Sequence, residues 1–308
     1  MITVSLWFWL GFLAFILFML ALDLGIFNKH AKAVSFKEAC IWSGVWIALA
    51  LIFNAGVWWH FGKETALEFL TGYIVEYSLS MDNIFVMVML FAAFKTSAQY
   101  QHRVLFWGIL GALFMRGILI LLGAALVHKY VWVLYIFGAF LIVTGIKMAF
   151  SSEKPKDLDK NFILNMMRKL FRVTRDYEGD HFFVVKQNKI WITPLFLVLL
   201  MVEFTDLIFA VDSIPAILAI TQDPFIVFTS NAFAILGLRS MYFMLPGMTD
   251  KFHYLKLGLS GALVFIGTKM ALAHFYEIPT FISLLVIVTL LAIAILASLI
   301  REKRLHLR

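Results

Sequence analysis

Charge is scarce in this chain. Of 308 residues only 15% are Asp, Glu, Lys or Arg, while 62% are hydrophobic and the mean hydropathy is +0.91. Soluble chains are about 45–50% apolar and carry about 25% charge, so a water-soluble enzyme built round one buried core is excluded. Cysteine is almost absent: Cys40 stands alone, which excludes an intrachain disulfide framework and any zinc or iron–sulfur site assembled from cysteines. Histidine is missing from the interiors of the apolar runs. His30, His60, His102, His128, His181, His253, His274 and His306 all fall at run ends or in loops, which removes the imidazole set for zinc, nickel or copper(II). No nucleotide-binding loop is present, so an ATP-driven pump is not expected. No Ser/His/Asp or Cys/His grouping can be assembled at one depth, so neither enzyme chemistry nor an organic cofactor is expected.

What is there is apolar length. The runs are about twenty residues long, enough to cross a bilayer core of about 30 Å. Nine spans are predicted, at 3–27, 39–60, 66–94, 103–127, 131–150, 191–220, 225–247, 253–275 and 279–300. Barrel strands need only about 9–11 alternating residues, so the fold class is an all-α polytopic membrane protein with lipid as its surroundings. Trp58, Trp59 and Trp132 near span ends read as interface anchors. The 14 methionines are scattered along the spans and read as packing filler.

An odd number of spans puts the termini on opposite sides. Loops on one side hold 20 Lys and Arg residues, while the other side holds only Lys63 and Lys129. The positive-inside rule makes the basic side cytoplasmic, with the N-terminus outside and the C-terminus inside. The net charge of +7 is therefore a topology signal, and no nucleic-acid partner is expected. The 151–190 loop is the one substantial polar segment. Asn161–Arg175 reads as a basic amphipathic helix at the membrane surface, and Phe182–Ile192 as a small hairpin turning near Asn188.

The chain also resembles itself. Val75-Glu-Tyr-Ser78 matches Val202-Glu-Phe-Thr205, Asp82-Asn-Ile84 matches Asp212-Ser-Ile214, Ile109-Leu-Gly111 matches Ile235-Leu-Gly237, and Gly145-Ile-Lys-Met-Ala149 matches Gly267-Thr-Lys-Met-Ala271. The order is the same in both copies. Five regions follow: two spans at 1–65, a three-helix repeat at 66–150, the loop at 151–190, a second repeat at 191–275, and a last span with a basic tail at 276–308. Three is an odd number, so the copies are expected to be inverted, the arrangement of many secondary transporters.

Acids within the spans are the costly residues. Those singled out are Asp23, Glu76, Asp82, Glu203, Asp206 and Asp212. An unpaired acid at the bilayer centre costs at least ~2.5–3.5 kcal/mol, and such acids mark ion paths or proton relays. Glu76, Ser80 and Asn83 share one helical stripe, as do Glu203, Asp206 and Ser213. Asp82 and Asp212 lie off those stripes, so the two helices are either enclosed on all sides or broken near Ser80–Asn83 and Ala210–Pro215. Candidate counter-charges are Arg116 and Arg239, with Lys147 and Lys269 close enough to span ends to snorkel. Six acids against these four bases leave −2, which suits a divalent cation, protons, or both in exchange. Carboxylates with Asn83, Ser80 and Ser213 are hard oxygen donors, suited to magnesium, calcium or manganese.

Ala21–Phe27, Glu76–Ile84 and Glu203–Pro215, with Ala234–Arg239 and the Phe182–Pro194 linker, resemble the signatures of the TerC family of integral membrane proteins over nearly the whole chain. The resemblance implies a bacterial inner-membrane protein of the LysE-like transporter group, with manganese(II) as the exported ion. It also implies links to tellurite resistance, alkaline response and metal loading of exported proteins. The family's membrane acids correspond to Asp23, Glu76, Asp82, Glu203, Asp206 and Asp212, none of which is missing. The expectation is export of manganese(II) through a midplane site formed by these acids and Asn83, with protons as the candidate counter-ion. The alternatives are a membrane assembly or metalation factor that docks a protein partner at the 151–190 loop, and a calcium or magnesium carrier of the same architecture.

Overall fold

In lipid every backbone N–H and C=O must find a partner within the protein, and an apolar run of this length meets that demand as a helix. The structure, a computed structural model, describes residues 4–27, 36–150, 172–174, 176–186, 188–244, 254–273, 275–276 and 278–306; of Asp23 and Asp82 it describes the backbone alone. The described residues form nine helices and one hairpin. These are α1 (Leu6–Phe27), α2 (Phe36–Phe61), α3 (Lys63–Ala93), α4 (Ala98–Lys129), α5 (Trp132–Phe150), β1 (Phe183–Lys186), β2 (Lys189–Ile192), α6 (Pro194–Leu218), α7 (Pro224–Met244), α8 (Leu255–Leu272) and α9 (Thr280–His306). The helices α2 to α9 are long and apolar enough to cross a membrane, and α1 adds a shorter apolar stretch over Leu6–Leu22. The chain is an all-α, multi-pass membrane protein. At 31 and 32 residues, α3 and α4 run for about 47 Å at 1.5 Å per residue and project beyond the bilayer core.

Local chemistry sets the helix ends. Gly62, at φ 92°, is the single residue between α2 and α3, a conformation glycine adopts at no steric cost. Pro194 and Pro224 open α6 and α7, where the missing N–H is one that no helix would use. Asp223 caps α7 by accepting from the backbone N–H groups of Phe225 at 3.0 Å and Ile226 at 3.3 Å. In the hairpin, Val184 pairs with Trp191 and Val185 with Ile190, and Asn188 takes the turn at φ 58°, as the sequence predicted. The amphipathic helix expected over 161–175 lies outside the described residues up to 171. Arg172–Thr174 is extended, with Val173 bridged to Ile192.

Both helices for which a break was offered are continuous. Pro215 sits within the last turn of α6, where only one backbone bond is lost, and α3 runs unbroken past Ser80–Asn83. Enclosure holds for α3, which meets α2, α6, α7, α8 and α9, but not for α6, which is continuous and still exposes Phe204, Ile208 and Val211. The helix α7 is buried along its whole length, packed against α2, α3 and α4. It is the least apolar of the eight long helices because it faces protein, and it carries Thr229, Ser230, Asn231, Arg239 and Ser240 buried.

The two triplets, α3–α5 and α6–α8, meet reciprocally. The pairs α3·α7 and α4·α6 both form, as do α3·α6, α4·α7 and α5·α8. Gly138 faces Gly267 and Gly145 faces Ser260 across α5·α8, so these helices run antiparallel. Asn83 meets Asp206 while Gly72 meets Ile217, so α3 and α6 are antiparallel too. An approximate two-fold relation between the triplets would produce these contacts. α5 and α8 approach each other backbone to backbone at glycines: a Cβ on Gly267 would stand 2.6 Å from the Gly138 carbonyl oxygen, and one on Gly138 2.9 Å from that of Gly267. Gly267→Val should therefore force α5 and α8 apart and lower stability by about 1–3 kcal/mol. Thermal unfolding in detergent checks it, and an unchanged midpoint would refute the close packing.

Candidate cation site

The centre of the site is an arginine. Arg116, in the middle of α4, is 1% exposed, and so are its partners to within a few per cent: Glu76 at 0% and Asp206 at 2%. Its Nε donates to Asp206 Oδ2 at 3.0 Å and its Nη2 to Asp206 Oδ1 at 2.8 Å, a bidentate fork on one carboxylate. Its Nη1 donates to Glu76 Oε1, to Asn231 Oδ1 at 3.3 Å and to Ser213 Oγ at 3.4 Å. One side chain of α4 thus holds α3, α6 and α7 together. Asn83 Nδ2 adds a bond from α3 to Asp206 Oδ1 at 3.4 Å.

The stripe read from the sequence on α3 is buried, with Ser80 at 0% and Asn83 at 2%. Each of its members keeps one oxygen without a partner: Glu76 Oε2, Ser80 Oγ and Asn83 Oδ1. Buried polar atoms are nearly always paired, so three orphans on one helix face mark a place that accepts a cation or water. Beside them is a cavity of about 10 Å³ lined by Glu76, Asn83, Met148, Phe209, Asp212 and Ser213, with Leu79 and Leu263. That is room for a single water or bare ion. Across the cavity, Thr144 of α5 donates to Asp212 Oδ1 at 3.4 Å. Among the described residues no three acids, histidines or cysteines converge as a ready-made cluster. The carboxylates present are Glu76 and Asp212 on the cavity wall and Asp206 behind Arg116.

The structure separates the other candidates. Glu203 leaves its stripe: it is half-buried, and its carboxyl occupies the space where a Cβ on Gly111 of α4 would stand. Its Oε2 has no partner. It is the one charged side chain described along an apolar groove of about 830 Å³ between α1, α4, α6 and α7, lined by Trp9, Leu13, Leu17, Phe114 and Phe228 among others. Arg239 is buried beside His102, with Nη2 at 3.1 Å from His102 Nδ1. The side chains of Asp23 and Asp82 lie outside the described residues. Sequence reasoning missed Asn231 and Thr144. A lone Asn in an otherwise buried helix was the available signal for the first, and nothing marked the second.

Pairing separates the two acids of α6. Asp206→Asn leaves a buried guanidinium with one carboxylate fewer, and a broken buried pair costs roughly 3–5 kcal/mol. Among the described residues Glu203 forms no ion pair, so Glu203→Gln should cost less than about 1 kcal/mol. Thermal unfolding of the two variants side by side should show that order, and equal losses would contradict it.

Comparison with known proteins agrees with this architecture. Residues 61–306 match the model of the "Integral membrane protein TerC family". An uncharacterized membrane protein of Myxococcus xanthus is 53% identical over 295 residues, covering 96% of this chain and 92% of that one. Proteins described as candidate membrane-bound redox modulators, Alx, are 48% identical in Salmonella typhi and 47% in Escherichia coli K12, each over 299 residues, 94% of this chain and 93% of the relative. No solved structure gives a significant match. A buried acid-and-arginine core inside a bundle of apolar helices, with a family match over most of its length, places this chain in the TerC family of integral membrane proteins.

Proposed function

We propose that the protein is a secondary transporter that exports manganese(II) from the cytoplasm, with protons moving in exchange. The observation that carries this reading is the small cavity whose wall holds Glu76, Asn83, Asp212 and Ser213, with unpartnered oxygens on Glu76 and Asn83. Glu76, Asp206 and Asp212 against Arg116 give a formal charge of −2, which one divalent cation neutralises. The donors are carboxylate, amide and hydroxyl oxygens, the set that binds manganese, magnesium and calcium.

In this reading Arg116 engages Asp206, while Glu76 Oε2 and Asp212 take the ion. The triplets act as inverted halves. Rocking one against the other opens the α3·α6 contact to either side in turn, and Arg116 is the bond between halves that must loosen and re-form. The basic side is cytoplasmic, with the N-terminus outside. A redox effect of such a protein acts through the metal it moves, because a chain with one cysteine holds no dithiol couple.

A second reading rests on the hairpin. Phe183, Val185 and Ile190 are 53%, 72% and 71% exposed there, an apolar face suited to a protein partner in metalation or assembly. Deleting 161–190 separates the two: loss of co-purifying partner with transport intact would assign that loop to docking.

The primary test is manganese(II) flux into proteoliposomes. Asp82→Asn and Asp212→Asn should each lower the flux at least tenfold at normal protein level. Full flux in both variants would overturn the transport reading.

A further inference from the structure

The cavity wall has one member that is neither a hard oxygen donor nor a hydrocarbon. Met148 of α5 lines the same space as Glu76, Asn83, Asp212 and Ser213. Its position follows from the helix: Thr144 and Met148 are four residues apart and share one face of α5, and Thr144 bonds Asp212. The internal repeat supplies a contrast. Met148 and Met270 occupy the same place in matching Gly-x-Lys-Met-Ala segments. Met270 is 2% exposed and packs against Gly138, a filler's role. Met148 is half-buried and lines the cavity, with part of its side chain against the apolar cluster of Leu141, Leu259 and Leu263.

We propose that Met148 is the specificity-determining residue of the site, its thioether sulfur selecting manganese(II) and softer divalent metals over magnesium and calcium. This rests on the transport reading above. Oxygen donors alone bind all three ions, and the protein meets magnesium and calcium as competitors. A thioether discriminates because it is soft: it adds a favourable contact for a transition metal and is a poor substitute for water around a hard cation. Magnesium also gives up its waters reluctantly and demands near-ideal octahedral oxygen geometry. A sulfur on the wall of a one-ion cavity therefore weighs against it twice. A single neutral sulfur leaves the formal charge of the site unchanged, so selection and charge balance are set by different residues.

The test is manganese(II) flux in proteoliposomes of the full chain, wild type beside Met148→Leu. That swap conserves volume and is tolerated in cores. In wild type, a large excess of magnesium or calcium should inhibit little, and cadmium, a softer probe, should inhibit strongly. In Met148→Leu the manganese KM should rise about tenfold with maximal rate near wild type. Magnesium and calcium should then compete, and the inhibitory potency of cadmium should fall at least tenfold. Met270→Leu is the control and should leave all three selectivities unchanged. A folded Met148→Leu protein with wild-type competition by cadmium, magnesium and calcium would overturn the inference while transport stands. Absence of manganese flux in wild type would overturn both.

Discussion

A guanidinium buried among apolar helices is the constraint on which the rest of this bundle turns. Removing an ion of that size from water costs several kcal/mol even after relaxation, and only well-placed opposite charges and hydrogen bonds repay it. Arg116 at 1% exposure therefore has to be surrounded, and four helices do so. Its own helix α4 carries it, α3 brings Glu76, α6 brings Asp206 and Ser213, and α7 brings Asn231. The polarity of α7 follows, because a helix that must reach such a centre cannot face lipid. The continuity of α3 and α6 follows too. Asp206 and one oxygen each of Glu76 and Asp212 are met by side chains of neighbouring helices, with no unwound backbone taking part.

The repeat shows how one sequence pattern acquires two fates. Glu76 and Glu203 occupy matching places, yet Glu76 sits under the guanidinium while Glu203 lies against Gly111 at the edge of an apolar groove. The difference lies in the second helix of each triplet. With Ile109–Gly111 matched to Ile235–Gly237, the counterpart of Arg116 is Tyr242 and that of Leu113 is Arg239. The arginines do not correspond. Only one triplet supplies a central cation, and the other's arginine stands beside His102. The sequence repeat therefore does not give two equivalent charged centres.

Much of this was legible in the sequence. Span lengths, the hairpin turn at Asn188, and the buried stripe Glu76–Ser80–Asn83 follow from period and composition, which are local properties. The central pairing was legible only in part. Arg116 stood out as a counter-charge, but which of six acids it would take depends on how α4 lies against α6, a packing fact no spacing contains. Asp206 and Glu203 differ by less than one helical turn, and a modest rotation decides which of them meets the arginine and which meets the groove. The break that the sequence offered as one alternative near Pro215 does not form for a positional reason: a proline in the last turn removes one bond where few remain. Met148 was illegible in principle, since a methionine among 14 in lipid-length helices is distinguished only by what it faces.

The use of side chains rather than backbone at the centre bears on how such a site could open. A site built on freed carbonyls of broken helices changes when those helices rewind. Here the helices are whole, and the groups that converge belong to opposed elements: Glu76 and Asn83 on α3, Asp212 and Ser213 on α6, Met148 on α5. Sliding or tilting α3 against α6 by a fraction of a turn separates these groups without breaking a backbone hydrogen bond. Among the described residues the ion pair in the way is the Arg116 fork on Asp206. A fork of that kind is geometrically demanding, and it weakens quickly as the planes of its two partners diverge. On the proposed transport reading, a divalent cation entering the cavity would repel the guanidinium while satisfying Glu76 and Asp212. On that same reading, cargo in the cavity would favour the parting of α4 from α6 and its departure would favour their return, a link between ion and helix positions of the kind an exchanger needs.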